Sequence, residues 1–253
     1  MSKNRMKLSD TLLKNILLEG LPIPSSTVFT GPAGSGKPII ALAIISSWLK
    51  NGGSVVAAPL QFPNQEFISG ILKEFYGTEI QNYEQNFVYV QFDTNIDSVE
   101  TMNQNQMKAN LVKPENWDRM IAEAKKMTEK SDLGLMLFST ALNLPLFSPT
   151  YSYRLMDKIQ QMFDAREMTY VFCVSTSMLK KKAVEVGEMA DNQIEVWFSE
   201  RAKNLLLKVK KMKDVAYLKD EIEAPFTQAK LEETEKISKK YKVTEVLQRI
   251  KRI

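Results

Sequence analysis

The sequence predicts an α/β protein whose central sheet is mostly parallel and carries helices on both faces. Two observations lead to this prediction. Short β-branched and aromatic segments alternate along the chain with segments that have the apolar spacing of helices, which is the pattern of βαβ units. A glycine-rich turn also joins the first of these strands to an apolar helix. Because ligands of such sheets bind at the carboxyl ends of the strands, this turn marks the expected site.

The alternation can be followed from one element to the next. The first strand, at residues 27–30, leads through the glycine-rich turn to a buried helix at 39–49. Further strands are predicted at 54–58, 87–92, 133–139 and 169–175, and further helices at 64–75, 114–130 and 151–166. Segments 193–197 and 204–209 are predicted to pair as neighbouring strands. The polar connection at 93–110, rich in Asn and Gln, is predicted to be a mobile excursion.

The glycine-rich turn fits the phosphate-binding P-loop pattern G-x-x-x-x-G-K-[ST] at every position but the last. In such a loop, backbone N–H groups and the dipole of the following helix attract phosphates, and the lysine reaches the terminal phosphates. The last position, which normally offers a hydroxyl to Mg²⁺, is a proline. Proline is tolerated there because its missing N–H has no partner in the first turn of a helix. The predicted nucleotide-binding residues are Gly31, Pro32, Ala33, Gly34, Ser35, Gly36, Lys37 and Pro38.

The composition excludes several kinds of chemistry. The 253 residues include no histidine and one cysteine, so a zinc site and a Ser-His or Cys-His nucleophile pair are excluded. The cysteine, Cys173, lies in an apolar run and is predicted to be buried. The apolar runs are too short to span a membrane, and the polar N-terminus lacks the core of a signal peptide. We therefore expect a cytoplasmic protein.

The positive charge is concentrated towards the end of the chain. Residues 201–253 hold fifteen Lys and Arg against eight Asp and Glu, a net charge of +7, whereas the preceding 200 residues carry −3. A basic segment of this kind indicates either a nucleic-acid or acidic partner, or a solvated lysine-rich face.

The order of these elements resembles that of the RecA-like P-loop ATPases, and within them the KaiC-like and RadA-paralogue group typical of archaea. The resemblance runs from about Leu17 to Thr227. It is carried by the segments Gly20-Leu21-Pro22, the P-loop, the strand and helix around Pro63, Leu133 to Asn143, Lys211-Met212-Lys213 and Glu223 to Gln228. It implies a three-layer RecA-like domain over residues 1–228, followed by a basic helical extension at 229–253. It also implies ATP or ADP as ligand, with self-association or a RecA-family relative as partner.

Three departures from the family pattern concern catalysis. Where the family places the glutamate that activates the attacking water, this chain has Gln61 and Phe62 before Pro63. Gln61 can orient a water but cannot take its proton. Phe138 occupies the position of the Mg²⁺-binding aspartate, and Pro38 replaces the Mg²⁺-binding hydroxyl. Because phosphoryl transfer depends on the metal and on charge stabilisation, these losses predict a protein without efficient hydrolysis, without a metal ligand of its own, and with doubtful Mg²⁺ binding. Misalignment is the alternative, with rescue by Glu66 or Asp93, or with Ser139 and Thr140 holding water to a metal.

Lysines provide two further candidate sites. Lys213 ends the segment that, in the family, reaches the nucleotide of the neighbouring subunit. The alternative is that Lys208, Lys210, Lys211 and Lys213 form a charged strand edge that resists pairing. Lys180, Lys181 and Lys182 follow the strand at 169–175, where recombinases have a DNA-contacting loop. No aromatic residue is interleaved with them for base stacking, so a solvated face is the competing interpretation.

The sequence therefore predicts a degenerate RecA/KaiC-like protein that acts as a regulatory or scaffolding paralogue and retains a nucleotide-binding loop. Two other hypotheses stay open. One is an active ATPase of DNA recombination or repair, with Lys37 on the phosphates and Lys213 acting across a subunit boundary. The other is a nucleic-acid-binding accessory protein that uses Lys180 to Lys182 and the basic C-terminal segment.

Overall fold

The computed structural model of the chain describes residues 4–60, 62 and 64–226, without the side chains of residues 178 and 179. Within these residues, the main sheet has ten strands in the order β12-β11-β10-β3-β9-β8-β4-β5-β7-β6, and a separate hairpin pairs β1 with β2. The strands are β1 Arg5–Met6, β2 Leu21–Pro22, β3 Ser26–Gly31, β4 Ser54–Ala58, β5 Phe87–Phe92, β6 Val99–Thr101, β7 Gln106–Ala109, β8 Leu135–Ser139, β9 Thr169–Ser175, β10 Asn192–Ser199, β11 Asn204–Lys211 and β12 Ile222–Glu223.

The helices form a layer on each face of this sheet. They are α1 Thr11–Ile16, α2 Lys37–Lys50, α3 Gln65–Tyr76, α4 Glu115–Met127, α5 Ser152–Ala165 and α6 Thr176–Met189, with 3₁₀ turns at Ile80–Asn86, Ala141–Asn143 and Pro145–Phe147. One core cluster joins α1, α2 and α3 to one sheet face, and a second joins α4, α5 and α6 to the other face. The predicted three-layer α/β fold with a mostly parallel sheet is confirmed.

The α2 helix shows why a continuous apolar run was a reliable signal. Almost all of its residues are buried, because it packs against the sheet on one side and against neighbouring helices on the other. The α3 helix is amphipathic instead. It begins where the Asn64 side chain accepts a hydrogen bond from the Phe67 N–H and ends at Gly77, which adopts a left-handed conformation.

The prediction of a mobile excursion at 93–110 is wrong. The segment contributes two strands, because β7 pairs in parallel with β5 and β6 pairs antiparallel with β7. Met107 and Ala109 are fully buried at alternating positions and attach the segment to the core. Their alternation was the missed signal, obscured by the surrounding Asn and Gln residues.

The end of the sheet agrees with the sequence as far as the structure describes it. The predicted pair becomes the antiparallel hairpin β10–β11, and β12 adds to β11 at Leu206 and Leu207. The segment Glu223 to Gln228, which carries part of the family resemblance, is described as far as Phe226, and only its first residue belongs to β12. The predicted extension at 229–253 lies outside the described residues, so the domain boundary stays a prediction.

Candidate phosphate-binding site

The P-loop lies between two strands whose connections leave the sheet in opposite directions. The β3 strand pairs in parallel with β9, and Gly31 lies opposite Ser175. From β3 the chain enters α2 on one face, whereas from β9 it enters α6 on the other face. Adjacent parallel strands that diverge in this way open a crevice at their carboxyl ends, which is where α/β sheets bind ligands.

Glycines permit the backbone path of the loop. Gly34 and Gly36 have φ values of +73° and +65°, in the left-handed region that side chains disfavour. Gly31 is restricted by space as well, because a Cβ atom there would lie 1.8 Å from the Val196 carbonyl oxygen on β10. The first residue of the loop thus lies directly against the neighbouring strand.

The Lys37 ammonium group lies at the centre of the loop. Its Nζ donates to the carbonyl oxygens of Gly31, at 2.9 Å, and Pro32, and to the Ser35 Oγ at 3.1 Å. The side chain is only 5% exposed, and this burial lowers the pKa of Lys37 to about 8, although the nearby Cys173 opposes the shift. The lysine is therefore positioned by its own loop at the place where phosphates would bind.

Contacts from α6 and α3 hold the loop and its helix. The Ala33 N–H donates to the Ser177 Oγ at 2.8 Å, which ties the loop to the first turn of α6. On the other face, the Tyr76 hydroxyl donates to the Ile39 carbonyl at 2.6 Å. Pro38 is half-buried and lies in the first turn of α2, as the sequence predicted. Sequence reasoning missed Ser177, although a run of hydroxyl residues directly after β9 is a recognisable helix start.

The carboxyl end of β8 carries no acidic residue. Phe138 is fully buried in the core cluster that includes α2, opposite Ala57 and Val171 on the neighbouring strands. The hydroxyl groups that follow have structural partners. Ser139 donates to the Ala58 carbonyl at 3.1 Å, and Thr140 accepts from the Leu60 N–H at 2.7 Å. They join the ends of β4 and β8.

The segment after β4, where the family pattern places the general base, is apolar at the position that the structure describes. Phe62 is 3% exposed, contacts Phe67 with ring centroids 5.6 Å apart, and accepts a hydrogen bond at its carbonyl from the Tyr89 hydroxyl. Gln61 and Pro63 lie outside the described residues, so the water-orienting role of Gln61 stays a prediction.

The two carboxylates considered as substitutes lie far along the sheet. Asp93 follows β5, four strands from β3, which corresponds to about 19 Å at the usual strand spacing. Its carboxylate accepts from Asn95 and lies 3.8 Å from the Lys108 ammonium. Glu66 is exposed in the first turn of α3, which follows β4, three strands from β3. The strand separation disfavours rescue by Asp93. Glu66 follows the same strand as the segment where the family pattern places the general base, so its rescue stays a prediction.

Lys213 lies at the opposite end of the sheet from the P-loop of its own chain. Its Nζ is 3.2 Å from the Asp191 carboxylate, which also binds Arg166 at 2.6 Å and accepts from the Ser26 N–H. Because Asp191 immediately precedes β10 and Ser26 is the first residue of β3, the length of β3 separates Lys213 from the P-loop by about 16 Å. Any contact with a nucleotide would involve a neighbouring subunit.

The other lysines of that segment also have partners within the chain. Lys208 pairs with Glu221 at 3.5 Å and Lys210 with Glu195 at 3.6 Å, whereas Lys211 donates to the Glu188 carbonyl. The lysine ammonium groups of β11 are therefore engaged in contacts within the chain.

The structure places Lys180, Lys181 and Lys182 in helix α6 rather than in a loop. Lys180 and Lys181 are exposed, whereas Lys182 donates to the Leu146 carbonyl at 2.7 Å. Consecutive helical residues project in different directions, so the three side chains do not form one face. Their binding to nucleic acid stays a prediction.

The chemistry of the site fits a phosphate group but not a conventional magnesium site. Backbone N–H groups at the start of α2, its dipole and Lys37 all favour anions. Pro38 and Phe138 have no oxygen ligand to offer a metal from their side chains. Within the described residues, no group of three or more His, Cys, Asp or Glu side chains is arranged to hold a metal ion.

Comparison with known proteins gives a fold-level match. The sequence matches no protein-family model, and no curated protein shows significant similarity to it. Its structure resembles the crystal structure of a KaiC-like protein from the hyperthermophilic archaeon Pyrococcus horikoshii OT3, with a TM-score of 0.66 and 16% sequence identity. The match covers 87% of this chain and 94% of that chain. The predicted resemblance to the KaiC-like RecA fold is thus confirmed at the level of fold. No helix in the described part of the chain is long and apolar enough to cross a membrane.

Proposed function

We propose that this chain is a RecA/KaiC-like protein that binds ATP or ADP through its P-loop without hydrolysing it. In this role it acts as a regulatory or scaffolding subunit, together with copies of itself or with a RecA-family relative. The observation that carries the proposal is a contrast within one edge of the sheet. The P-loop keeps its backbone geometry and a buried central lysine, whereas Phe138 and Phe62 occupy the positions of the catalytic acids as core residues.

Binding and hydrolysis make different demands on such a site. Binding needs a concave array of N–H donors and a cation, which the loop, the α2 N-terminus and Lys37 provide. Hydrolysis also needs an activated water and stabilisation of charge on the transferred phosphoryl group, usually by a metal. At positions 38, 62 and 138 the chain offers no hydroxyl or carboxylate for either purpose. The requirements for nucleotide binding can therefore be met without those for hydrolysis.

The assembly role rests on the fold and on what remains when hydrolysis is lost. A P-loop protein that binds without turnover can act by changing the population of an assembled state, provided that the ligand binds that state more tightly. The KaiC-like structural neighbour supports a fold of this class. Lys213 lies on a surface remote from its own P-loop, which is compatible with either a subunit contact or the intramolecular ion pair with Asp191.

Calorimetric titration of ATP and ADP, with and without Mg²⁺, tests the proposal. We expect micromolar binding that does not need Mg²⁺, no turnover above background, and a loss of about 10- to 100-fold in affinity in Lys37→Ala, because a charge-assisted contact is removed. Lys126→Ala, which changes an exposed lysine on α4, serves as the control with unchanged affinity.

Three results would contradict this assignment. Turnover that disappears in Lys37→Ala would instead establish an active ATPase, and strong Mg²⁺ dependence would reveal a substitute metal ligand. If no nucleotide binds, the nucleic-acid hypothesis would be tested next by single-stranded DNA binding. That binding must weaken steeply with salt and in Lys180→Ala/Lys181→Ala, because counterion release dominates such contacts.

A further inference from the structure

The β10–β11 hairpin continues past the first residue of the P-loop. In the parallel pairing of β10 with β3, Glu195 lies opposite Thr30, which places Val196 at the level of Gly31. The 1.8 Å approach of a Gly31 Cβ atom to the Val196 carbonyl shows how closely these backbones pack. The β10 strand then runs on through Trp197 to Ser199 before the chain turns into β11. The hairpin therefore forms a wall beside the mouth of the loop.

Trp197 is the first residue of this wall beyond the contact with the P-loop. It is half-buried, whereas the other two tryptophans, Trp48 and Trp117, are fully buried. Both of those donate their indole N–H to backbone carbonyls, Trp48 to Ser54 at 3.0 Å and Trp117 to Leu111 at 3.0 Å. For Trp197, no described residue accepts the indole N–H and no described ring lies in contact. Trp197 thus combines a partly exposed ring with an indole N–H that has no acceptor among the described residues, next to an anion site.

We propose that Trp197 is a stacking platform for the base of a nucleotide whose phosphates lie in the P-loop. The inference rests on the proposed function and specifies its ligand as a nucleoside polyphosphate rather than a free polyphosphate. In a nucleotide the base lies beyond the phosphates by one sugar, and an aromatic residue beside the loop mouth is placed to meet it. An indole ring offers a large stacking surface to any base, so this contact selects for a base without selecting which one.

Neighbouring positions make the assignment specific to one face of the hairpin. Side chains alternate along β10, so Val196 points into the core shared with α2, and Trp197 points to the opposite face, opposite Leu206 on β11. Phe198 lies on the same face as Val196 and is also half-buried. The two adjacent aromatic residues therefore offer stacking surfaces on different faces of the same strand, and mutations can distinguish them.

Tryptophan fluorescence provides the test, because Trp197 is the tryptophan that a ligand can reach. ATP and inorganic tripolyphosphate, which has no base, are titrated in the absence of Mg²⁺, and calorimetry measures the affinity of each. We expect ATP to quench the emission and tripolyphosphate to bind without quenching. Trp197→Leu, which keeps an apolar side chain opposite Leu206, should bind ATP roughly tenfold more weakly and lose the quenching, with tripolyphosphate affinity unchanged. Phe198→Leu is the matched control, with both affinities within twofold of the wild type.

The possible failures are distinguishable. If ATP binds but Trp197→Leu matches the wild type in affinity and quenching, the stacking inference is overturned while the proposed function stands. A loss of ATP affinity in Phe198→Leu alone would move the base to the other face and equally overturn it. If neither ATP nor tripolyphosphate binds the wild type, both proposals fail. Thermal unfolding of each variant establishes that its fold is intact, and Trp197→Phe, which keeps a ring but removes the fluorophore, should retain ATP binding and lose the quenching.

Discussion

The P-loop and the carboxyl ends of β4 and β8 occupy the same edge of the sheet but differ in how closely they match the RecA-like pattern. In the P-loop, the positions that define an anion site are intact, and Lys37 is held by carbonyl oxygens of its own loop. At the ends of β4 and β8, Phe62 and Phe138 lie where the RecA-like pattern has acids, and both are part of the hydrophobic core. One region has the geometry of an anion site, whereas the other is part of the hydrophobic core.

This difference shows that the two functions of a P-loop site depend on different parts of the chain. Anion binding is mostly a property of the backbone, so it persists as long as the glycines and the start of the helix are kept. Catalysis depends on a few oxygen-bearing side chains, each of which one substitution can remove. A buried apolar replacement then gains packing energy, which makes its return to an acid costly.

The largest expected effect is a loss of stability when Phe138 at the end of β8 is truncated. Phe138→Ala should lower the free energy of unfolding by about 3–5 kcal/mol, because it removes a fully buried ring and leaves a cavity. Pro38→Ser, which returns the hydroxyl that P-loops usually have, is the contrasting variant, because Pro38 is half-buried and its change should cost about 1 kcal/mol or less. Chemical denaturation measures both. Equal effects on the free energy of unfolding would mean that the packing of the Phe138 ring contributes little to stability.

A somewhat smaller effect is expected within the P-loop. Gly31→Ala should destabilise the protein by about 3 kcal/mol, because the new Cβ collides with the Val196 carbonyl and the φ of +146° is unfavourable for alanine. Gly34→Ala adds a Cβ with nothing within 4 Å, so only its φ of +73° opposes the change, at about 1 kcal/mol. Unfolding curves of the two variants compare steric contact with backbone conformation. If Gly34→Ala were the more damaging, the contact between β10 and the loop would not be the dominant constraint.

The smallest expected effect is a dependence of binding on pH. Burial lowers the pKa of Lys37 to about 8, so the lysine loses its proton as the pH rises through that value. Phosphates favour the charged form, and the sign follows: affinity should be constant below about pH 7 and fall by up to tenfold per pH unit above about pH 8. Above pH 8, binding should also take up as much as one proton.

Titrations in buffers of different ionisation enthalpy measure this proton uptake directly. ADP and ATP should be compared between pH 7.5 and 9.5, where the phosphates no longer titrate. Lys37→Ala should bind weakly at every pH and take up no proton. Proton uptake that persists in Lys37→Ala would assign the effect to another group.

Features that depend on local patterns could be predicted from residue identity and spacing alone. Runs of apolar and β-branched residues predicted β3, β4, β5, β8 and β9, because a strand that is buried on both faces carries few charged side chains. Glycine spacing and one lysine defined the P-loop, because its geometry is set within eight consecutive residues. The absence of acids at positions 62 and 138 was equally visible, since it needs only residue identity.

The distant residues that contact these local features could be identified only from the folded chain. The tertiary structure placed the Val196 carbonyl against Gly31 and the Ser177 hydroxyl on the Ala33 N–H, across a sequence separation of 144 residues for the latter pair. It also turned the polar segment at 93–110 into two strands, and it paired Lys213 with Asp191 at the end of the sheet remote from the P-loop. The physical reason is that a local pattern records which surfaces a segment must bury or expose. The strand order and register determine which partner covers those surfaces, and they emerge only when the whole sheet is assembled.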